Sequence, residues 1–330
     1  MISLRRWLLP LLLAALPMAT VSADSNDNNT GIWLSRMNMA LHTLNYEGNF
    51  VYIHDNNLGS MRVIHRADGE GGIEHLISLT GPQREVIRDH KEAMSIFPGS
   101  HSVLIERRYA ATHFPAPIPQ AIHENKLNAY YIFKYLGAGR VAGHNCKIID
   151  IEPRDNYRYG YRLWLDVNNA MLLRSDLLKQ NGKIVERVMF TSISYPREIP
   201  DKAFKATEIK PGYIWNIQGG NARLPAAEAK LNWKAAQLPS GFTLSMDNVQ
   251  RLVGTSSPVR HMVFTDGLAS VSVFVGTAMP GRKELIGPSR MGAVSAFGRL
   301  VDNHSITVVG EVPPETVEFI AQAMRLQPQS

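Results

Sequence analysis

The most informative stretch of this chain is Gly139–Asp166, which reads G-R-V-A-G-H-N-C-K-I-I-D-I-E-P-R-D-N-Y-R-Y-G-Y-R-L-W-L-D. Two apolar-rich runs, Cys146–Ile151 and Tyr157–Leu165, flank a polar corner at Glu152–Asn156 that contains one proline. Apolar runs on both sides of such a corner predict a strand, a turn and a second strand. We therefore expect a β-rich fold with this hairpin inside its sheet.

The second run has two different faces, because side chains alternate from one side of a strand to the other. One face carries Tyr159, Tyr161, Leu163 and Leu165. The opposite face, which we expect to meet water, carries Arg158, Arg162, Trp164 and Asp166. Two interpretations of the apolar face are open: it forms ordinary core beneath helices, or it lines an apolar groove for a ligand.

Glycine and proline residues between Thr207 and Leu231 indicate a boundary inside the chain. A chain of 330 residues usually forms two domains. Before the boundary, the spacing of apolar residues predicts a helix that starts at Asn29 or Thr30, followed by many strands. Asn181-Gly182 predicts a tight hairpin. After the boundary we expect antiparallel strands and a closing helix introduced by Pro313-Pro314.

The N-terminus has the three parts of a signal peptide. Arg5 and Arg6 precede the apolar run Trp7–Leu16, which is shorter than the roughly 20 residues of a membrane span. Val21-Ser22-Ala23 offers small residues for cleavage after Ala23, and an uncleaved anchor is the alternative. Removal of residues 1–23 takes away two arginines and no acidic residue, so the net charge falls from +6 to +4. The sequence therefore predicts export to the periplasm.

No motif in the chain predicts an enzyme. Gly137–Ala142 fits G-x-G-x-x-A, but the residues that follow are strand-like, whereas a dinucleotide site needs a helix there. The eleven histidines contain no H-E-x-x-H pair, and no G-x-S-x-G is present, so we predict no metal and no cofactor. Cys146 is the only cysteine; we expect it to be buried, and pairing between chains is the alternative.

Two groups of cations are candidates for binding a partner or a lipid headgroup. Arg282, Lys283 and Arg290 lie in a segment rich in glycine and proline, and Arg107 and Arg108 precede the proline-rich segment His113–Pro119. Guanidinium groups suit phosphate and carboxylate ligands. A solvated loop without a ligand is the alternative for both groups. Clustered cations interleaved with aromatic residues are absent from the sequence, so nucleic acid is not predicted as a partner.

The run P-R-D-N-Y-R-Y-G-Y-R-L-W-L-D, which ends at Asp166, resembles the RseB/MucB family of periplasmic regulators of the envelope-stress sigma factor. Leu172–Phe190 is similar to the next hairpin of that family. Thr265–Phe274 and Ile306–Glu315 resemble blocks of the family's smaller domain. The resemblance covers the chain after the signal segment, in the expected order.

The resemblance implies an α+β, mostly antiparallel fold. Its large domain would be an unclosed β-barrel with helices in its concavity, similar to periplasmic lipoprotein carriers, and its small domain an antiparallel sheet with a helix. The implied organisation is a signal peptide at 1–23, the half-barrel at 24–210, a linker at 211–230 and the small domain at 231–330.

The resemblance also implies a function. The protein would bind the periplasmic domain of a single-pass anti-sigma factor and shield it from the site-1 protease. Lipopolysaccharide or a related lipid would release it, and sigma-factor activity would follow. A periplasmic lipid or lipoprotein carrier that uses the same concavity is the alternative function, and a homodimer is left open.

Overall fold

The computed structural model describes residues 29–55, 57–69, 72–107, 124–207, 209, 211–218, 232–250, 258–278 and 284–327. The predicted signal peptide, Arg108, Arg282 and Lys283 lie outside these ranges, and the side chain of Arg107 is not described. In the described part of the chain, the helices are too short or too polar to cross a membrane.

Three α-helices, two short 3-10 helices (Pro98–Ser100 and Asp201–Phe204) and twenty strands make up the described structure. The α-helices are α1 (Thr30–Thr43), α2 (Glu124–Leu127) and α3 (Pro314–Ala323). The first group of strands is β1 (Tyr46–His54), β2 (Asn57–Arg66), β3 (Ile73–Ser78), β4 (Glu85–Arg88), β5 (Glu92–Phe97), β6 (Ser102–Arg107), β7 (Tyr131–Val141), β8 (His144–Pro153), β9 (Gly160–Asp166), β10 (Leu172–Leu178), β11 (Ile184–Ser194) and β12 (Ile214–Gln218). The second group is β13 (Trp233–Ala235), β14 (Thr243–Gln250), β15 (Val259–Thr265), β16 (Ser270–Thr277), β17 (Gly287–Met291), β18 (Val294–Val301), β19 (His304–Gly310) and β20 (Met324–Leu326).

The first group forms one sheet of twelve strands in the order β12-β6-β5-β4-β3-β2-β1-β11-β10-β9-β8-β7. Its pairs are antiparallel except β12 with β6. The sheet does not close, because β12 and β7 are its two edges. We call this sheet with α1 and α2 the large domain. The small domain is the six-stranded sheet β14-β15-β16-β19-β18-β17 with α3 and the pair β13-β20. The predicted fold class is confirmed.

Two features favour helix α1: an N-terminal cap and a stripe of apolar residues on one face. The Asn29 carboxamide oxygen accepts a hydrogen bond from the Ile32 amide at 3.2 Å, as predicted for the helix start. Trp33, Met37 and Leu41, at helical spacing, are buried in the core of the large domain. Each such side chain contributes about 1.5–3 kcal/mol when it leaves water, so this packing holds α1 against the sheet.

The predicted hairpins are confirmed. Strands β8 and β9 pair with Ile151 opposite Tyr161, and the polar corner lies between them. Gly182 has a φ of 76°, in the left-handed region that tight hairpin turns require. Asn181-Gly182 therefore forms part of the turn between β10 and β11, as predicted. The glycine-rich Gly137–Ala142 belongs mainly to β7, and β8 rather than a helix follows it.

The prediction that Arg158, Arg162, Trp164 and Asp166 meet water is wrong for three of these four residues. Arg158, Trp164 and Asp166 are buried, and only Arg162 is partly exposed. The guanidinium of Arg174 lies 3.8 Å from the centre of the Trp164 ring and covers it. Strand β9 lies between two neighbours in the sheet, so long side chains on β10 shield this face.

The outer face of the large sheet carries a row of alternating charges. Arg162 lies opposite Asp150 and Asp176 on the neighbouring strands, and Asp176 lies opposite Arg187. Arg162 donates to Asp150 at 2.9 Å. Asp176 accepts from Arg174 at 2.6 Å and from Arg187 at 2.7 Å. Opposite charges directly across strands stabilise a sheet and fix its register.

The small domain has its own core. Trp233 from β13, Val273 from β16, Ile306 from β19 and Ile320 from α3 are fully buried in it. Strand β12, which lies inside the predicted linker 211–230, instead extends the large sheet at its edge. The domain boundaries themselves stay a prediction.

We predict that Asp176→Asn destabilises the protein by about 2 kcal/mol at neutral pH, because hydrogen bonds to charged groups contribute about 1.5–3 kcal/mol. Burial raises the pKa of Asp176, but hydrogen bonds and charges from Arg187 and Arg174 outweigh it and lower that pKa overall. A carboxylate with a lowered folded-state pKa stabilises the fold above its unfolded pKa, and this contribution is lost as the pH falls through the folded value.

Urea unfolding of the wild type and the variant should therefore differ most near neutrality and converge in acid. Glu47→Gln is the matched control, because Glu47 and Arg62 form an exposed pair with side chains 41% and 48% exposed. Its effect should be about 0–1 kcal/mol. Equal losses in the two variants would contradict the assignment.

Candidate functional site

The two domains meet around Arg158, whose side chain is 1% exposed. Its Nη1 donates to Asp266 Oδ2 at 2.8 Å and its Nη2 donates to the carbonyl oxygen of Ser240 at 2.5 Å. Its Nε donates to Asp155 Oδ1 at 3.1 Å. Asp266 and Ser240 belong to the small domain, so one guanidinium joins the polar corner of the quoted hairpin to the second sheet.

Aromatic rings surround this guanidinium. The centres of the Tyr130, Tyr131 and Phe242 rings lie 5.1–5.5 Å from Arg158 Cζ. The Tyr131 hydroxyl donates to the same Asp266 oxygen at 2.8 Å. Burial, and then the charge of Asp266, raise the pKa of Tyr131 far above its ordinary value, so its hydroxyl stays a donor.

The second carboxylate oxygen of Asp266 also has hydrogen-bond partners. Its Oδ1 accepts from the backbone amides of Leu268 and Ala269 at 2.8 and 2.7 Å. A buried ion pair repays its desolvation only when the remaining polar atoms also find partners. This pair meets that condition, and removal of either partner leaves a charge buried without compensation.

Helix α3 makes a second contact with the same corner. The Thr316 hydroxyl donates to the carbonyl oxygen of Tyr157 at 2.7 Å, and the Tyr157 and Phe319 rings pack edge to face at 5.4 Å. Gly241, with φ of 86°, lies so close to Tyr130 that a Cβ atom there would be 2.5 Å from the ring. Only glycine fits this approach of the domains.

A cleft of about 320 Å³ opens beside Arg158, between the β10–β11 hairpin and the start of α3. Its lining includes Asn156, Tyr159, Lys179, Asn181, Pro314 and Glu315. The lining mixes amide groups, the two cations Arg158 and Lys179, one carboxylate and proline rings. Amide, ammonium and carboxylate groups of this kind can exchange hydrogen bonds with a polar ligand.

The structure places the predicted apolar residues in the core. Tyr159, Tyr161, Leu163 and Leu165 are all buried, in the same core as the inner face of α1. This supports their interpretation as core. A role as groove lining would require that packing to change, and it stays a prediction.

Of the predicted cations, Arg290 has a described side chain. It is exposed on β17 and donates from Nε to the carbonyl oxygen of Gly292 at 2.9 Å. The fold brings it near Tyr159, where its charge opposes the rise in the pKa of the tyrosine that burial causes. Arg107 ends β6, far along the sheet order from β9. The binding roles of both groups of cations stay predictions.

Sequence reasoning missed Arg158 and Asp266 as the centre of the junction. One sign was available: Arg158 stands between two tyrosines inside Y-R-Y, where an arginine is well placed to stack on rings. The partner Asp266 follows in T-D-G, 108 residues later. Nothing local connects the two.

The fold offers no site for metal binding or thiol chemistry among the residues that the structure describes. Among the residues that the structure describes, no cluster of His, Cys, Asp and Glu is arranged to hold a metal ion. Cys146 is fully buried, as predicted, and burial raises the pKa of its thiol to about 11. A thiol with that pKa is a poor nucleophile.

The fold and the junction define a two-domain, mostly antiparallel β protein whose polar cleft lies between the domains. The chain matches the models of the MucB/RseB N-terminal domain at residues 29–208 and of the MucB/RseB C-terminal domain at residues 227–325. It therefore belongs to the MucB/RseB family, as the sequence resemblance implied.

Two related proteins and one solved structure align with nearly the whole chain. The sigma factor AlgU regulatory protein MucB of Pseudomonas aeruginosa is 30% identical, over 95% of this chain and 94% of that protein. The Sigma-E factor regulatory protein RseB of Salmonella typhimurium is 29% identical, over 97% of this chain and 98% of that protein. A solved complex of Pseudomonas aeruginosa MucA and MucB is similar with a TM-score of 0.68 and 26% identity, and covers 91% of this chain and 99% of that one.

We predict that Arg158→Met destabilises the protein by about 3–5 kcal/mol, because it leaves Asp266 buried without its counter-charge. Arg154→Met is the matched control, since Arg154 lies on the same corner but is exposed. Chemical denaturation followed by tryptophan fluorescence measures both. If Arg158→Met costs no more than the control, the junction does not depend on this ion pair.

Proposed function

We propose that this protein is a periplasmic regulator that binds the periplasmic segment of a membrane-spanning anti-sigma factor. While bound, it shields that segment from the first protease of the release cascade. Lipid of the lipopolysaccharide type displaces it and so raises sigma-factor activity. Export would follow cleavage of the signal peptide after Ala23.

The observation that carries this proposal is the match of both family domains in one chain. The two family models together cover most of the chain, in the order of the two domains. A second solved relative is MucB in complex with MucA(peri), similar over 91% of this chain and all of that one. The similarity extends over both domains, and this supports the proposal that the chain binds a comparable periplasmic segment.

A lipid can regulate the protein only if it reaches an apolar surface that the bound anti-sigma segment does not cover. Helix α1 buries Trp33 and Met37 but leaves Ile32 and Met39, seven positions apart, 41% and 59% exposed. Residues seven apart lie on one face of a helix, so both point away from the buried stripe. An acyl chain that covers such a face gains about 0.8 kcal/mol for each buried methylene.

The cations Arg282, Lys283 and Arg290 would meet the phosphates of the headgroup. Exposed ion pairs contribute only about 0–1 kcal/mol each and are screened by salt. Burial of the acyl chains would therefore supply most of the binding free energy. The ion pairs would set the headgroup preference and the salt dependence of binding. A carrier without a signalling partner would use the same concavity of the half-barrel, and protection of the anti-sigma segment from its protease separates the two functions.

We predict that the mature protein slows cleavage of the anti-sigma segment by its site-1 protease when the protein is present at saturating concentration. The measurement is the cleavage rate of the purified segment, with and without the protein. The control is a peptide that the protease cleaves but that lacks the anti-sigma sequence; its rate should not change. An unaltered rate for the anti-sigma segment would exclude the regulator and leave the carrier.

We predict that replacing Arg282, Lys283 and Arg290 by alanine weakens lipid-driven release several-fold at low salt and less at high salt. The control replaces Lys91, Lys183 and Lys202 by alanine, because these lysines are exposed and the change in charge is the same. Release of the labelled anti-sigma segment is followed across a salt series. Coincident curves for the two triple variants would remove the Arg282–Arg290 segment from lipid sensing.

A further inference from the structure

The large sheet ends in a short strand that lacks the usual protection of a sheet edge. Strand β12 is one of the two edges and reads I-W-N-I-Q, without a charged residue or a proline. Edge strands of soluble proteins usually carry lysine, proline or a bulge, which block pairing with a strand of another molecule. In β12, Ile214, Trp215 and Ile217 are instead 64%, 50% and 75% exposed. The edge is therefore apolar and open to pairing.

The backbone of β12 is hydrogen-bonded on one side only. The Ile214 amide donates to the carbonyl oxygen of His101 at 2.8 Å, in register with Ser102 on β6. Successive residues of a strand direct their N–H and C=O groups to opposite sides, so Trp215 and Ile217 direct theirs away from β6. In the described part of the chain, no strand lies on that side. The backbone groups of Trp215 and Ile217 can therefore pair with a further strand.

Apolar side chains on one face of the sheet form rows that stop at this edge. Residues opposite one another on neighbouring strands make up two such rows, Ile87–Met94–Ile105–Ile217 and Ile96–Val103–Trp215. Ile96 and Val103 are buried, whereas Trp215 at the end of their row is half exposed. A further strand would cover Trp215 and Ile217 and extend both rows. Removal of this apolar surface from water favours the pairing.

The sequence of β12 is complementary to a second copy of itself. In an antiparallel pair with a two-fold axis at Asn216, Trp215 of each copy lies opposite Ile217 of the other. Aromatic and β-branched residues are a favourable cross-strand pair, and no like charges meet because the strand is uncharged. Both residues direct their backbone groups toward the other copy, so each pair is hydrogen-bonded. A register one residue earlier would need Tyr213, which precedes the strand and packs its ring on that of His101.

We propose that β12 is a self-association surface, through which two copies of this protein join their large sheets edge to edge. The contact is isologous, because the same strand serves on both sides of the two-fold axis. Strand β12 lies between the residues that the family models match, which end at 208 and resume at 227, so neither model includes this surface. A contact of five residues on each side is small, and small interfaces give weak, reversible association.

Sedimentation equilibrium of the whole mature protein measures this association. A reducing agent is present, so a disulfide between the Cys146 thiols of two copies cannot contribute. We expect a reversible equilibrium of monomer and dimer that shifts toward the dimer as the protein concentration rises from about 1 μM to about 1 mM. A wild-type protein that stays monomeric over this range would overturn the proposal.

Variants with a charge in β12 locate the interface. Ile217→Lys and Trp215→Glu should each weaken association about tenfold or more, because two like charges then lie diagonally across the axis. Leu300→Lys is the matched control, since Leu300 is exposed on β18, a strand paired on both sides, and it should associate as the wild type does.

An equal mixture of Ile217→Lys and Trp215→Glu should recover the dimer. The introduced lysine of one copy then lies opposite the introduced glutamate of the other, and the second pair keeps its native Trp215 and Ile217. A dimer that persists in both single variants, or a mixture that does not recover it, would overturn this pairing. Circular dichroism confirms that each variant is folded.

A strand from another protein is the alternative occupant of this edge, and hydrogen exchange of residues 211–218 separates the two. We expect their amides to become more protected as the concentration of the protein alone rises. If an added anti-sigma segment protects them in a protein that stays monomeric, the edge serves that partner and self-association is rejected. Sedimentation contains no partner, so a dimer in a protein that fails the protease assay would support self-association and still reject the regulator.

Discussion

The geometry of this protein depends on one buried ion pair. Arg158 leaves the polar corner of one hairpin and meets Asp266 of the other domain with both side chains fully removed from water. Desolvation of two charges costs several kcal/mol for each ion, so the pair persists only because every other polar atom is satisfied. Asp155, the Ser240 carbonyl and the Tyr131 hydroxyl supply those partners. The hydrogen bonds of Arg158 and Asp266 are directional, so they fix the relative position of the two domains at this contact.

The rest of the junction follows from that fixed point. Helix α3 comes to lie with Thr316 on the Tyr157 carbonyl, and a polar cleft is left between its first turn and the β10–β11 hairpin. On the other side, the β17–β18 turn reaches His54.

Much of the fold was predictable from local signals. Asn29 as the start of α1, the Asn181-Gly182 hairpin and the strands around Glu152–Asn156 each depend on a few neighbouring residues. The family, and with it the unclosed sheet and the smaller domain, followed from the order of several such segments. The error concerned Arg158, Trp164 and Asp166. Alternation along β9 was read correctly, but the face that should meet water is covered by Arg174 and by the second domain.

The sequence by itself determined the elements, their order and the family, because strand alternation, turn residues and helix caps act over short distances along the chain. Only the tertiary structure decided which charges are buried together. Arg158 and Asp266 are separated by 108 residues and lie in different domains. A charge in the sequence looks the same whether it will meet water, an opposite charge or a like charge. Its role is set by the desolvation and the Coulomb energy at its final position, and these exist only once the two domains have come together.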